Sequence, residues 1–168
     1  MALSKSFSCA FGLVFVLSGC NGDDNAKTYT FSDVYCPSVV LSSSAMEGSN
    51  YVIDDQNELN DIWSDLGYSA YAAAPQIDFS FGTAILVNGG FKANGNEWVE
   101  IVGVTEESGQ TVVTYNDFSS NFEGCGGDAV VTYPFCLVQL NTKISEAVFR
   151  SRLQNSCDSE SGGPTLLE

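Results

Sequence analysis

The chain has 168 residues, with 21 aspartates and glutamates, 6 lysines and arginines and no histidine, so its formal net charge is −15. That length fits one domain with appendages. The lack of histidine excludes Ser-His-Asp and Cys-His catalysis and histidine-ligated metals, and so negative a chain repels the phosphate backbone of nucleic acids.

The N-terminal segment has the features of a bacterial export signal. Lys5 precedes an apolar run at residues 7–17, which is too short to span a hydrocarbon layer of about 30 Å but is typical of a secretory signal peptide. The run ends in Leu17-Ser18-Gly19-Cys20, which resembles the lipobox of bacterial lipoproteins. The alternative is an ordinary secretory signal with a chance cysteine.

The lipobox predicts how the mature protein begins. Residues 1–19 are expected to be removed as a signal peptide, and Cys20 is expected to carry acyl chains that anchor the protein in a bacterial membrane. Residues 20–28 are small and polar and are predicted to form a flexible tether. The expected location is the cell envelope, either at the periplasmic face of the outer membrane or at the cell surface.

Four cysteines remain beyond the predicted tether, at positions 36, 125, 136 and 157. An even number in an exported chain indicates disulfide bonds, and three pairings are open. We favour Cys125–Cys136, which closes a short loop, and Cys36–Cys157, which joins the first segment of the domain to its last. A four-cysteine zinc site is the alternative, although the spacings lack the Cys-x-x-Cys pairs that usually mark one.

Residues 29–157 are predicted to form a single α+β domain, and residues 158–168 a disordered tail. Residues 29–41 favour an edge strand or an irregular segment because Pro37 interrupts them. A short strand at residues 51–53 is expected to precede a helix, with Asp54 or Asp55 as its N-cap and Gly67 just past its end. Four residues form the apolar stripe of this helix: Leu59, Ile62, Trp63 and Leu66.

The second half of the domain is predicted to consist of strands. Residues 83–87 are a continuous apolar run, which is typical of a central strand buried on both faces. Residues 98–105 and 111–116 predict a hairpin, residues 129–140 a strand disturbed by a proline, and residues 144–154 a final strand. The expected fold is an antiparallel sheet of about five or six strands with one helix packed on a face.

Several of these segments together resemble a known family, the C-terminal domain of the protease-complex-subunit PrcB family. The resemblance covers residues 51–153 and implies a small α+β module of secreted bacterial proteins and lipoproteins. It further implies that the module is an accessory to a surface protease and has no catalytic residues of its own. The chain departs from the family at residues 89–98, after the central strand. The residues that carry the resemblance are Val52-Ile53, Glu58-Leu59, Trp63, Leu66-Gly67, Ile77-Asp78-Phe79 and Ala84-Ile85-Leu86-Val87.

The departing segment contains the candidate partner-binding loop, which consists of Phe91, Asn94, Asn96 and Trp98. The glycine between the two asparagines permits a projecting turn, and aromatic side chains are frequent anchors of protein interfaces. The alternative is that both rings pack into the core beside Trp63.

No residue set in the chain predicts a catalytic, metal or cofactor site. A phosphate loop, a nucleophile elbow and a Ser-x-x-Lys pair are missing, and residues 21–25 and 54–61 match a calcium loop only loosely. Asp61 and Asp65 are expected on the exposed face of the helix. We therefore expect a non-catalytic interaction or accessory module that binds a protease or another envelope protein. The alternative is a lipoprotein that binds a saccharide, a peptide or calcium.

Overall fold

The computed structural model describes residues 26–37, 49–120 and 129–157. The predicted signal peptide, Cys20, Cys125 and the predicted tail lie outside these ranges. The described residues form one α-helix, α1 (Gln56–Asp65), one 3-10 helix (Tyr68–Ala70) and eight strands. The strands are β1 (Lys27–Thr28), β2 (Phe31–Tyr35), β3 (Tyr51–Ile53), β4 (Thr83–Asn88), β5 (Trp98–Glu107), β6 (Gln110–Ser119), β7 (Phe135–Leu140) and β8 (Val148–Asn155).

The strands form two sheets of four strands each, in the orders β1-β5-β6-β8 (the first sheet) and β2-β7-β4-β3 (the second sheet). All pairs are antiparallel except β6 with β8, which is parallel. The α+β class is confirmed, but the prediction of one sheet of five or six strands is wrong. The reason is that β6 and β7, neighbours in sequence, pair with partners in different sheets.

The second sheet lies between α1 and the first sheet. Because successive side chains of a strand point to opposite faces, Ala84 and Leu86 of β4 pack on the helix side, while Ile85 and Val87 pack toward the first sheet. All six residues of β4 are buried, which confirms the predicted central strand. The helix-side core contains Ile53, Leu59, Trp63, Leu66, Tyr68, Phe135 and Leu137, and the core between the sheets contains Val99, Ile101, Val104, Val113, Cys136, Val138 and Leu140.

Helix α1 begins and ends at the predicted signals. Asp55 is the N-cap, and its carboxylate accepts hydrogen bonds from the backbone N–H groups of Asn57 and Glu58 at 2.8 and 3.0 Å. The Glu58 carboxylate accepts in turn from the N–H of Asp54, the residue before the N-cap, at 3.0 Å, so the two carboxylates together bind backbone N–H groups at the start of the helix, much as in a capping box. Gly67 follows in the left-handed conformation at φ 76°, which ends the helix.

Exposure along α1 follows the predicted stripe. Leu59, Trp63 and Leu66 are buried, whereas Asp61 and Asp65 are exposed to solvent, as expected for carboxylates on the outer face. Across residues 26–37, 49–120 and 129–157, no helix is long and apolar enough to cross a membrane.

The predicted hairpin is present as β5 and β6, joined at Ser108 and Gly109. Both joining residues have positive φ, 52° and 80°, as the tight turns that match strand twist require. The pairing shifts between Ile101 and Gly103, and Val102, which lies at the shift, is exposed.

The ends of the domain differ in detail from the prediction. Lys27 and Thr28, predicted to belong to the tether, form β1 and pair with Glu106 and Thr105 of β5. The strand predicted at residues 129–140 begins only after Pro134, as β7, and the strand predicted at residues 144–154 is β8.

The disulfide differs from both predicted pairs, Cys125–Cys136 and Cys36–Cys157. The sulfur atoms of Cys36 and Cys136 are bonded at 2.07 Å, which excludes each of them. The cause is the antiparallel pairing of β2 with β7, in which Tyr35 lies opposite Leu137, so that position 36 meets position 136. Cys157 is also disulfide-bonded.

Candidate functional site

The predicted partner-binding loop is the connection between β4 and β5, and it is fixed at both ends. Its first residue, Gly89, donates its N–H to the carbonyl of Pro134 at 2.8 Å, and Gly90, at φ 67°, donates to the side chain of Asn88 at 2.9 Å. Lys92 and Thr132 exchange two backbone hydrogen bonds, at 2.9 and 3.0 Å. The loop is therefore one arm of a short two-stranded ribbon whose other arm leads into β7.

One face of this ribbon is buried. Lys92 and Thr132 lie directly opposite each other; Thr132 is fully buried, and the Lys92 side chain is only 12% exposed because it pairs with the carboxylate of Asp117 on β6. The residues on either side of this pair point to the other face, since side chains alternate along extended chain.

The outer face of the ribbon is apolar and exposed. Phe91 is 51% exposed and Val131 47% exposed, Ala93 is exposed and Tyr133 half-buried. The rings of Phe91 and Tyr133 meet edge to face with their centroids 6.0 Å apart. We call these four residues the Phe91 patch. Exposed apolar residues that share one face of a ribbon are candidates for an interaction site.

A buried carboxylate holds the last turn of the loop. Glu97 is only 2% exposed, and one of its oxygens accepts hydrogen bonds from the backbone N–H of Ser120 at 2.7 Å, the Ser120 hydroxyl at 2.9 Å and the Ser119 hydroxyl at 3.3 Å. Its other oxygen accepts from the N–H of Asn94 at 3.3 Å. The carboxylate thus ties the loop to the end of β6.

These contacts decide the ionisation of Glu97. Burial by itself raises the pKa of this carboxyl, but the hydrogen bonds from Ser120 and Asn94 and the positive charge of Lys92 outweigh burial and lower the pKa below its ordinary value. A carboxylate that accepts several hydrogen bonds is stabilised in its charged form. Glu97 is therefore an ionised structural anchor at neutral pH.

The four predicted loop residues have different roles. Phe91 lies on the exposed patch, whereas Asn94 faces inward and donates from its amide to the Ser120 hydroxyl at 2.6 Å. Asn96 is half-buried. Trp98 is half-buried and stacks on Phe118 with centroids 4.1 Å apart. Trp98 is not beside Trp63, whose ring contacts are with Tyr35, Tyr68 and Phe135.

Sequence reasoning missed Glu97, Val131 and Tyr133. A signal for Glu97 was present: it lies just before β5 and precedes Val99 and Ile101 at a spacing of two, so the alternation places it on the same buried side. The patch residues at 131 and 133 had no such signal, because their proximity to Phe91 depends on pairing with a loop distant in sequence.

A concave feature lies at the other end of the first sheet from the Phe91 patch. It is an open groove of about 380 Å³ between the β5–β6 turn and the segment before β8. The Tyr29 hydroxyl donates to the Glu106 carboxylate there at 2.9 Å. The other lining residues include Gln110, Thr111, Lys143 and Glu146, so the groove offers mainly polar groups.

The carboxylate and thiol groups in the described ranges offer one cluster with ligand-like spacing, formed by Asp33, Cys36 and Cys136. The two sulfur atoms are joined in the disulfide, so neither is a thiolate that could bind zinc.

Comparison with protein-family models, with curated proteins and with solved structures finds no match to this chain. The resemblance to the PrcB family therefore rests on the sequence features described above.

Proposed function

We propose that this protein is a lipid-anchored, extracytoplasmic and non-catalytic interaction module that binds a protein partner through the Phe91 patch. The observation that carries this proposal is the exposed apolar face of a ribbon whose inner face is fixed by Glu97 and by the Lys92–Asp117 pair. A rigid apolar surface loses little conformational entropy on binding, which favours association.

Two sequence features support the rest of the proposal. The lipobox at Leu17-Ser18-Gly19-Cys20 supports membrane anchoring, and the resemblance to the PrcB family supports a protease or another envelope protein as the partner. The ionised state of Glu97 favours a structural role over general-acid chemistry, because a general acid needs a raised pKa.

The anchor is tested by a Cys20→Ser variant expressed in a bacterial host. The wild-type chain is expected in the membrane fraction, and its N-terminal cysteine is expected to carry the added mass of the acyl chains. The variant is expected to lack this mass and to be found in the soluble fraction or as an uncleaved precursor. An intact, unacylated leader on the wild-type chain contradicts this part of the proposal.

The partner surface is tested by cross-linking in intact cells followed by affinity capture of the protein. Phe91→Ala is expected to remove the cross-linked partner without lowering the melting temperature, since its side chain is 51% exposed. Phe81→Ala is the matched control, because Phe81 is 56% exposed but lies away from the loop, in the turn before β4. Equal capture by both variants, or equal loss from both, contradicts a role for the patch.

The polar groove supports the second candidate, a lipoprotein that binds a saccharide or a short peptide. Tyr29 and Glu106 supply an aromatic ring and a hydrogen-bonding carboxylate at its wall, which are common elements of such sites. Calorimetric titration of the full chain with oligosaccharides of the cell envelope tests this candidate. A Glu106→Gln variant is expected to weaken binding, and no heat with any of the oligosaccharides contradicts it.

A further inference from the structure

The longest free sheet edge in the described ranges belongs to β8. Edge strands β1, β3 and β2 have two, three and five residues, and the pairing of β2 is broken by a register shift. Strand β8 has eight residues and pairs with β6 without any shift. An uninterrupted edge of this length presents a row of backbone N–H and C=O groups to which another strand can pair.

Two of the six basic residues of the chain lie at this edge. The protein has only two arginines, Arg150 and Arg152, and both lie on β8. They are two residues apart and therefore share one face of the strand. Arg150 binds the Glu107 carboxylate with two hydrogen bonds, at 3.2 and 3.0 Å. Arg152 is exposed, and its side chain makes no hydrogen bond or ion pair with the described part of the chain.

The other face of β8 carries Phe149, Ser151, Leu153 and Asn155, and it is incompletely covered. Phe149 packs against the core between the sheets, whereas Leu153 is 64% exposed. A strand added beside β8 would cover Leu153 on one face and meet Arg152 on the other. The side chains that suit these two faces are apolar and acidic, in alternation.

Basic residues on an edge also discourage edge-to-edge association of identical chains. The net charge of −15 opposes self-association and also the general approach of an acidic partner, so an acidic segment is attracted only locally, at the unpaired side chain of Arg152. We propose that the β8 edge binds an extended segment of another protein in which acidic and apolar residues alternate, by adding it as a fifth strand to the first sheet. This surface is separate from the Phe91 patch and does not depend on it.

The experiment uses the purified full chain in non-ionic detergent and a fluorescent peptide, Thr-Glu-Val-Glu-Val-Glu-Thr, with blocked ends. Fluorescence anisotropy is expected to show binding with a Kd below about 1 mM that weakens as salt is raised. Two further peptides separate the contributions: one has lysine in place of glutamate, and the other carries N-methyl groups on alternate backbone nitrogens. Both are expected not to bind.

Arg152→Glu is expected to weaken binding about fivefold or more, as loss of an exposed ion pair followed by repulsion implies. Lys27→Glu is the matched control, because it makes the same charge change on β1, at the opposite edge of the same sheet. It is expected to leave the Kd unchanged. Hydrogen exchange of β8 amides, but not of β1 amides, is expected to slow when peptide is added.

Four results would overturn the proposal. They are no binding of the glutamate peptide, equal binding of the N-methylated peptide, equal or tighter binding of the lysine peptide, and equal weakening by Arg152→Glu and Lys27→Glu. Binding that persists in the Phe91→Ala variant supports two independent surfaces, whereas loss of peptide binding in that variant contradicts the assignment to β8.

Discussion

Replacement of Glu97 by glutamine tests whether a buried carboxylate fixes the candidate binding loop. The glutamine oxygen can take the position that accepts from the N–H and hydroxyl of Ser120, at 2.7 and 2.9 Å in the wild type. The amide nitrogen then faces the N–H of Asn94, which lies 3.3 Å from the second carboxylate oxygen. Two donors therefore oppose each other in a buried site.

The expected cost follows from these contacts. An unpaired buried donor costs about 1–3 kcal/mol, and hydrogen bonds to a charged group are stronger than those to a neutral one. We expect Glu97→Gln to lower the free energy of unfolding by about 3 kcal/mol and the melting temperature by roughly 10 °C. Urea denaturation and thermal melts followed by circular dichroism measure both quantities.

The matched control is Glu100→Gln, three residues further along the chain in β5 and exposed to solvent. It is expected to change the free energy of unfolding by less than about 0.5 kcal/mol. If Glu97→Gln costs no more than Glu100→Gln, the carboxylate does not hold the loop and the reasoning is refuted.

The pH dependence gives a second test of the same group. Because the pKa of Glu97 is lower in the folded protein than its ordinary value, its stabilising contribution is fully present above the unfolded-state pKa of about 4.3. That contribution is lost as the pH falls through the folded-state pKa. The difference in stability between wild type and Glu97→Gln is therefore expected to be largest near neutral pH and to shrink in acid.

Three further predictions concern the scaffold. The double variant Cys36→Ser/Cys136→Ser removes a disulfide between residues separated by 100 positions and is expected to lower the free energy of unfolding by about 4 kcal/mol. Equal melting temperatures for the wild type with and without reductant would contradict this prediction. Gly82→Ala places a Cβ 2.2 Å from a backbone carbonyl oxygen and is expected to lower the free energy of unfolding by about 2 kcal/mol. In the control Gly103→Ala the added Cβ meets nothing within 4 Å, so the stability is expected to be nearly unchanged. Similar denaturation midpoints for the two variants would contradict the packing argument. Trp98→Ala removes a stacked, half-buried ring and is expected to cost about 3 kcal/mol, in contrast to Phe91→Ala, and an unchanged melt would assign Trp98 to the surface.

Local signals in the sequence predicted the local structure. The acidic cap and the glycine stop of α1 act within a few residues, and the apolar run of β4 indicates burial whatever its neighbours are. The turn of the β5–β6 hairpin likewise depends on adjacent residues, Ser108 and Gly109. Each of these features was predicted because its cause lies within its own segment.

Features that depend on distant pairing were not predictable in this way. The division into two sheets follows from the different partners of β6 and β7, and the Cys36–Cys136 bond follows from the alignment of β2 with β7. No property of either strand alone specifies that alignment, because many registers bury the same apolar residues. The Phe91 patch has the same origin, since Val131 and Tyr133 reach the loop only through the pairing of Lys92 with Thr132.

The position of β4 and β7 has a consequence for how the domain opens. Residues of both strands contribute to the core under α1 and to the core between the sheets, so neither core can be exposed without disturbing a strand that the other needs. Partial unfolding should consequently be confined to the periphery, and the amide protons of β4 should exchange only when the whole domain unfolds. A partner that binds to α1 or to the first sheet and stabilises the folded state would therefore slow amide exchange in β4 by a factor that corresponds to its full binding free energy.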